Sequence, residues 1–145
     1  MTTLSYVLPF RSASAPTTEF IDYVNGLAEH AEVILVDGSP AHVYALVESQ
    51  RGSQIWHLPP DADLQSVANG KVRGVLTGLR RASHDAIVIA DDDVRHTPQS
   101  LQALVRALDT ADVVRPQNYF APLPWHARLD TARILINRME DPAAR

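Results

Sequence analysis

The chain has 145 residues, 46% of them hydrophobic, with 13 basic and 17 acidic side chains and no cysteine. This length fits one domain, and the absence of cysteine excludes a disulfide framework and a thiolate metal site. The net charge of -4 argues against a nucleic-acid partner, whose usual binding surface is a basic patch. We find no apolar run near the roughly 18 residues of a transmembrane segment and no signal-peptide pattern. A cytoplasmic location is therefore the default expectation.

Short apolar runs alternate with segments of helical period in the first half of the chain. The run Leu4 to Leu8 predicts a strand, and a helix capped by Thr17 or Thr18 follows it. The continuous apolar run 33–36 is typical of a strand that is buried on both faces. A helix with apolar residues over 43–47 and a short strand over 55–58 complete this half.

The second half continues the alternation. Apolar residues at 72, 75, 76 and 79 predict a helix that begins near Asn69 and presents them on one face. Residues 86–90 predict a further strand buried on both faces, and Thr97-Pro98 predicts the start of the next helix. A strand that begins at Val113 and a helix over 125–138 are the last predicted elements.

Strands that alternate with helices predict βαβ units, and therefore a mainly parallel sheet flanked by helices. The predicted fold class is α/β and Rossmann-like, and no interior linker divides residues 1–145 into separate domains. We expect both tryptophans, Trp56 and Trp125, in the core. Ligands of such open sheets bind beyond the carboxyl ends of the strands, so the functional residues are sought there.

Three adjacent carboxylates, Asp91-Asp92-Asp93, follow the predicted strand 86–90. Like charges this close repel one another unless something compensates them. Mg²⁺ compensates them well, because it typically binds one or two carboxylates plus substrate phosphates. We expect Asp91 and Asp93 to share such an ion, while a solvated turn or a helix cap is the alternative. His96 is near enough in sequence to be a further ligand, although a surface position explains it more simply.

Two cations open the predicted helix after Asn69, namely Arg73 and Lys71, which is the only lysine of the chain. A helix N-terminus favours anions, so these cations are most easily explained if they face a phosphate. The alternative is a pair of solvated surface charges. Asp37 precedes Gly38 after the second strand, where it either forms a turn or accepts hydrogen bonds from a base or ribose.

The order of these motifs resembles that of glycosyltransferases of the GT-A fold, the inverting family 2 type in particular. The matching segments are Leu8-Pro9, Val36 to Ser39, Asn69 to Gly74, and Ala82 to Asp93. The resemblance covers residues 4 to 120 and implies the donor-binding half of such an enzyme. Its implied ligands are a nucleotide-sugar donor of the UDP or GDP type and Mn²⁺ or Mg²⁺, which bridges the diphosphate.

The resemblance also implies roles for individual residues. Pro9 and Arg11, in the loop after the first strand, contact the nucleotide. Asp37 holds the base or the ribose, and either Lys71 or Arg73 meets the base or the diphosphate.

The aspartate triplet corresponds to the DxD motif of that family. By the resemblance, Asp91 and Asp92 belong to the nucleotide site, and Asp91 and Asp93 hold the metal ion. The acceptor half of the family supplies a catalytic Asp or Glu much later than 145 residues allow. We therefore expect residues 1–145 to be a nucleotide-sugar-binding domain without an acceptor half, in which Asp141 is the late candidate for a general base.

Two alternatives to glycosyl transfer stay open. A domain without an acceptor half can bind a nucleotide sugar without turning it over. A Mg²⁺-dependent phosphoryl-transfer domain of the Toprim or haloacid-dehalogenase type needs an early carboxylate, and the first strand ends in Pro9-Phe10-Arg11 instead. The sequence does not indicate an oligomeric state.

Overall fold

A computed structural model describes residues 4–116, and strands and helices alternate along them. The elements, in chain order, are β1 (Leu4–Phe10), α1 (Thr18–Leu27), β2 (Glu32–Asp37), α2 (Ala41–Gln50), β3 (Trp56–Leu58), a 3₁₀ turn (Ala62–Leu64), α3 (Gly70–Arg81), β4 (Ala86–Ile89) and α4 (Pro98–Ala107). The prediction of a strand that begins at Val113 is wrong, since residues 113–116 belong to no helix or strand and Val113 is exposed. The helix predicted over 125–138, together with Trp125, lies outside the described residues.

The four strands form one parallel sheet in the order β3-β2-β1-β4, as the α/β prediction requires. The chain moves from β1 outward through β2 to β3 and then places β4 on the other side of β1. The direction of winding therefore reverses between β1 and β4. In open α/β sheets, ligands bind in the crevice at such a switch point.

Pro9 lies inside β1, one residue beyond the end predicted for that strand. β4 pairs with β1 only as far as Val7, which is opposite Ile89, and Ala90 then donates to the Val7 carbonyl. Beyond that point β1 is paired, among the described residues, only with β2, where Pro9 is opposite Val36. A proline lacks the N–H that a second neighbour would need, so it is tolerated there. The separation of β1 from β4 after Val7 opens the crevice.

The sheet buries a different set of side chains on each face. One face carries Tyr6, Leu8 and Leu35 against residues of α1 and α4, including Phe20 and Leu101. The other face carries a smaller cluster, Val7, Ile34 and Val36, and α3 packs over it. Because full burial of a large apolar side chain contributes about 1.5–3 kcal/mol, the first face contributes more to folding.

Helix α3 packs on the sheet through small residues, which corrects the predicted apolar face. Its buried residues are Gly74, Thr77 and Gly78, whereas Val72 and Leu79 are exposed. A Cβ built on Gly78 would lie 2.3 Å from Val7 Cγ1, and one built on Gly74 would lie 2.9 Å from Pro9 Cβ. Glycine is therefore what allows the helix backbone to approach β1.

Two further burial predictions are wrong for the residues that the structure describes. Trp56 is 45% exposed, because β3 is an edge strand, and the Arg81 guanidinium lies 3.6 Å from its ring centroid. Ile89 is 50% exposed, since β4 is the opposite edge of the sheet that residues 4–116 form. None of the helices described in residues 4–116 is long and apolar enough to cross a membrane.

Side-chain caps begin three of the helices. Thr17 accepts a hydrogen bond from the Phe20 amide at the start of α1, and Thr97 forms a capping box with Ser100 at the start of α4. Asn69 accepts from two amides of the first turn of α3. These caps satisfy amides that lack a partner within the helix and confirm the three predicted helix starts.

Candidate active site

A cavity of about 500 Å³ lies at the carboxyl edge of the sheet, beside the point where β1 and β4 separate. This volume is within the range of about 300–1,000 Å³ that small-molecule sites occupy. Its walls come from three parts of the chain: the end of β1 at 9–11, the start of α3 at 70–74, and the turn after β4 at 91–93. Val36, Gly38 and Pro60 complete the lining.

Seven of the eight predicted donor and metal residues line this one cavity. They are Pro9, Arg11, Lys71, Arg73, Asp91, Asp92 and Asp93. Asp37, the eighth, lies in sequence between the lining residues Val36 and Gly38, but its side chain is buried and does not line the cavity. Six further lining residues were not among the predicted site residues, namely Phe10, Val36, Gly38, Pro60, Gly70 and Gly74. Asp141 lies outside the described residues.

Asp37 joins the turn after β2 to the loop after β1. Its Oδ1 accepts from the Ser39 amide at 2.8 Å, and the Ser39 hydroxyl oxygen accepts from the Ser12 amide at 2.9 Å. The Gly38 amide donates to the Phe10 carbonyl at 2.9 Å. These bonds hold the two loops together where they form one wall of the cavity.

The other oxygen of Asp37 faces an imidazole. Asp37 Oδ2 lies 3.1 Å from His57 Nε2, and both side chains are fully enclosed. Burial alone would raise the pKa of the Asp37 carboxyl, but the hydrogen bonds from His57 and Ser39 outweigh it and lower that pKa below its usual value. Asp37 is therefore a buried carboxylate that is ionised and compensated. Its contact with a base or ribose stays a prediction.

His57 in turn contacts Glu48 of α2. His57 Nδ1 lies 2.7 Å from Glu48 Oε2, and Arg51 forms a two-point contact with the same carboxylate. The Arg51 guanidinium, followed by His57, lowers the pKa of Glu48 from 4.5 to about 2. No sequence motif indicated this connection, because its members come from β2, α2 and β3.

The start of α3 brings positive charge to the cavity. Lys71 lies in its first turn, where Asn69 accepts from the Lys71 and Val72 amides. The Lys71 ammonium forms an ion pair with Asp91, and both side chains are about half exposed. The Arg73 Nε is buried and has no hydrogen-bond partner among the described residues. A buried guanidinium nitrogen without an acceptor is costly. The Arg73 side chain also lines the cavity, and it adds a second positive charge there.

The turn after β4 presents the three aspartates, and contacts with α1 fix it. The Arg95 guanidinium donates to the Asp92 carbonyl at 2.6 Å and lies 4.6 Å from the Tyr23 ring centroid. The Tyr23 hydroxyl accepts from the His96 amide at 3.0 Å. The His96 ring packs edge-on against Tyr6, and burial lowers its pKa. His96 is not among the residues that line the cavity.

The aspartates line the cavity without converging on one point. Within residues 4–116, no group of three or more histidine, aspartate or glutamate side chains is gathered in the manner of a ready-made metal site. This arrangement suits a cation that takes one or two carboxylates from the protein and its other ligands from phosphate and water, as Mg²⁺ does. The binding of a metal ion by Asp91 and Asp93 stays a prediction.

A parallel sheet with a charged cavity at its switch point defines a Rossmann-like α/β domain. Comparison with families of known proteins then identifies which such domain this is. The sequence model for "Glycosyl transferase family 2" matches residues 5–138. The chain therefore belongs to glycosyl transferase family 2, which confirms the predicted family. A search of curated proteins and a search of solved structures each gave no significant match.

Proposed function

We propose that residues 1–145 form a domain that binds a nucleoside-diphosphate sugar together with a divalent cation and transfers the sugar to an acceptor. Family membership supports glycosyl transfer from nucleotide-sugar donors as the class of activity. The observation that supports the donor site is the lining of the cavity, where three cations and three carboxylates meet at the switch point. The donor base, the sugar and the acceptor are left open by the proposal.

The balance of charge in the cavity supports a metal-dependent donor site. Cations and carboxylates are present in equal number, so the lining by itself has little net attraction for a diphosphate. A divalent cation held by Asp91 and Asp93 would give the cavity a net positive charge. When bound, such an ion would stabilise the charge that develops on the leaving nucleoside diphosphate.

Lys71 and Arg73 are proposed to bind the diphosphate. The Lys71–Asp91 pair is half exposed, and such pairs are typically worth about 0–1 kcal/mol. A phosphate can therefore replace Asp91 as the partner of Lys71 at little cost, and this exchange leaves the Asp91 carboxylate available to a cation. Arg73 also lines the cavity and supplies a second cation for the diphosphate.

The nucleoside is proposed to lie against the wall formed by the loops after β1 and β2. Pro9 and Arg11 line that wall, and Asp92 lines the opposite side of the cavity. Asp37 stabilises the wall through its hydrogen bond from the Ser39 amide. In the transfer step, an acceptor oxygen forms a bond to the anomeric carbon while the bond to the β-phosphate oxygen breaks. The leaving nucleoside diphosphate takes that electron pair, and the acceptor hydroxyl gives its proton to a base.

Calorimetric titration of UDP and GDP, with and without Mn²⁺, tests the proposal. We expect one nucleotide to bind in a metal-dependent manner, and Asp93→Ala to weaken that binding by about tenfold or more, since bonds to charged groups are worth about 1.5–3 kcal/mol. Asp85→Ala is the control, because Asp85 is exposed and precedes the same strand at its other end. Nucleotide binding that does not depend on Mn²⁺ and is unchanged in Asp93→Ala would refute the proposal.

Turnover separates an enzyme from a binding module. Release of UDP or GDP from the corresponding nucleotide sugar, measured with this chain alone, would show catalysis. Metal-dependent nucleotide binding without any such release would instead support a domain that holds the donor and does not turn it over.

A further inference from the structure

The ring of His57 is held between two carboxylates, and its side chain is fully enclosed. Its Nε2 lies 3.1 Å from Asp37 Oδ2, and its Nδ1 lies 2.7 Å from Glu48 Oε2. Tyr44 of α2 stacks on the ring, with centroids 4.0 Å apart, and donates from its hydroxyl to the His57 carbonyl at 3.2 Å. Contacts on both nitrogens, on a ring face and at the backbone fix the orientation of this imidazole.

The contact with Asp37 gives the Nε2 of His57 its role. An ionised carboxylate accepts hydrogen bonds and does not donate them, so in this bond the Nε2–H of His57 is the donor and Asp37 Oδ2 is the acceptor. A buried carboxylate without such a partner would be costly. Arg51 is the cationic partner of Glu48.

The connection reaches the cavity through Asp37. Asp37 Oδ2 accepts a hydrogen bond from His57, and Asp37 Oδ1 accepts one from the Ser39 amide. The Ser39 hydroxyl oxygen in turn accepts one from the Ser12 amide. Gly38, between Asp37 and Ser39, lines the cavity, and so does Arg11, which precedes Ser12. A displacement of the Asp37 carboxylate would therefore move the wall that the proposed function assigns to the nucleoside.

We propose that His57 is a positioning residue for nucleotide binding, which holds Asp37 in place through Nε2 and acts on the ligand only through that carboxylate. This inference rests on the proposed donor site. It adds a residue of β3 that no motif in the sequence indicated and that does not itself line the cavity.

Two substitutions of His57 separate positioning from simple packing. The amide nitrogen of glutamine reaches about as far as Nε2, whereas that of asparagine reaches about as far as Nδ1. We expect His57→Gln to keep UDP or GDP affinity, with Mg²⁺ present, within about threefold of the wild type, because it can still donate to Asp37. We expect His57→Asn to lose about tenfold, the scale of one bond to a charged group. Equal affinities in the two variants would overturn the inference.

A coupling test asks whether His57 acts through Asp37. In an Asp37→Ala background no side-chain acceptor is left at position 37, so His57→Gln and His57→Asn should bind nucleotide equally well. A difference that persists in that background would contradict the inference. If wild-type protein binds neither nucleotide, the proposed function fails and this inference fails with it. If wild-type protein binds and the two variants do not differ, only the inference fails.

A measurement on the wild-type protein covers the case in which His57→Asn does not fold. Nitrogen-15 NMR of the imidazoles, assigned by comparison with His57→Gln, reports directly whether each ring nitrogen carries a proton. We expect the Nε2 of His57 to carry a proton, and its signal to shift when nucleotide and Mg²⁺ bind. A bare Nε2, or an Nε2 signal that the nucleotide does not affect, would overturn the inference.

Discussion

Gly78 lies on the face of α3 that packs against β1, and Gly78→Ala is expected to destabilise the protein. The new Cβ would lie 2.3 Å from Cγ1 and 3.2 Å from Cγ2 of Val7. Carbon atoms in good contact are about 3.5–4.0 Å apart, so α3 or β1 must move by roughly 1 Å or more. Val7 is fully buried in the strand between β2 and β4 and has little room to move.

The magnitude follows from two opposing effects. Overpacking of a well-packed site typically costs about 1–3 kcal/mol. Alanine gains up to about 1 kcal/mol over glycine within a helix, because the glycine chain loses more freedom on folding. The net expectation is a free energy of unfolding about 1–2 kcal/mol lower for Gly78→Ala than for the wild type.

Gly26→Ala is the matched control. Gly26 lies in α1, and a Cβ built there meets no atom within 4 Å, so only the gain in helix propensity remains. Urea unfolding followed by circular dichroism should therefore show opposite signs for the two substitutions. A Gly78→Ala protein with the same free energy of unfolding as Gly26→Ala would refute the packing of α3 described above.

Three further results are expected. Lys71→Ala should weaken UDP or GDP binding by about tenfold or more in a calorimetric titration. Arg106→Ala is the control and should leave binding unchanged, because Arg106 is an exposed cation of α4 outside the cavity. Similar losses of affinity in both variants would indicate nonspecific electrostatic attraction and contradict the role of Lys71. The pKa of Glu48 is lowered from 4.5 to about 2 by its cationic partners, so the ionised side chain stabilises the folded state above pH 4.5. This stabilisation is lost as the pH falls from 4.5 toward 2. Thermal melts over this pH range should show a smaller loss of stability for Glu48→Gln than for the wild type, and equal losses would contradict this role of Glu48. Thr97→Ala removes the cap of α4 and should lower the free energy of unfolding by about 1 kcal/mol, a change that chemical unfolding would detect and whose absence would argue against the capping box.

The order of the elements was predictable because each has a strong local signal. The apolar run over 33–36 became the centre of β2, and Asn69 and Thr97 mark helix starts through side-chain caps that act within one turn. Asp91 and Lys71 lie at the cavity because parallel strands and the helices between them bring such termini to one edge of the sheet.

Burial was less predictable, because it depends on which element lies opposite. The apolar positions of α3 indicated a helix correctly, but its packed face is the one with Gly74 and Gly78, since the absence of side chains there allows the closest approach to β1. Hydrophobicity likewise placed Trp56 in the core, although an edge strand leaves it stacked against Arg81.

The connection of Asp37 to His57 was not predictable for a related reason. Its residues lie on three elements, and the distance between them in sequence carries no fixed period. Asp37 was noticed because it ends a strand, whereas His57 has no motif around it. Only the pairing of β3 with β2, which places His57 opposite Leu35, brings the ring near the carboxylate.

The central claim is that the cavity between β1 and β4 binds a nucleoside diphosphate together with a divalent cation. The most direct measurement is a crystal structure with UDP or GDP and Mn²⁺, in which anomalous scattering locates the metal. The account predicts a metal peak at Asp91 and Asp93 and the diphosphate at Lys71 and Arg73. A metal peak elsewhere, or a nucleotide bound outside the cavity, would contradict it.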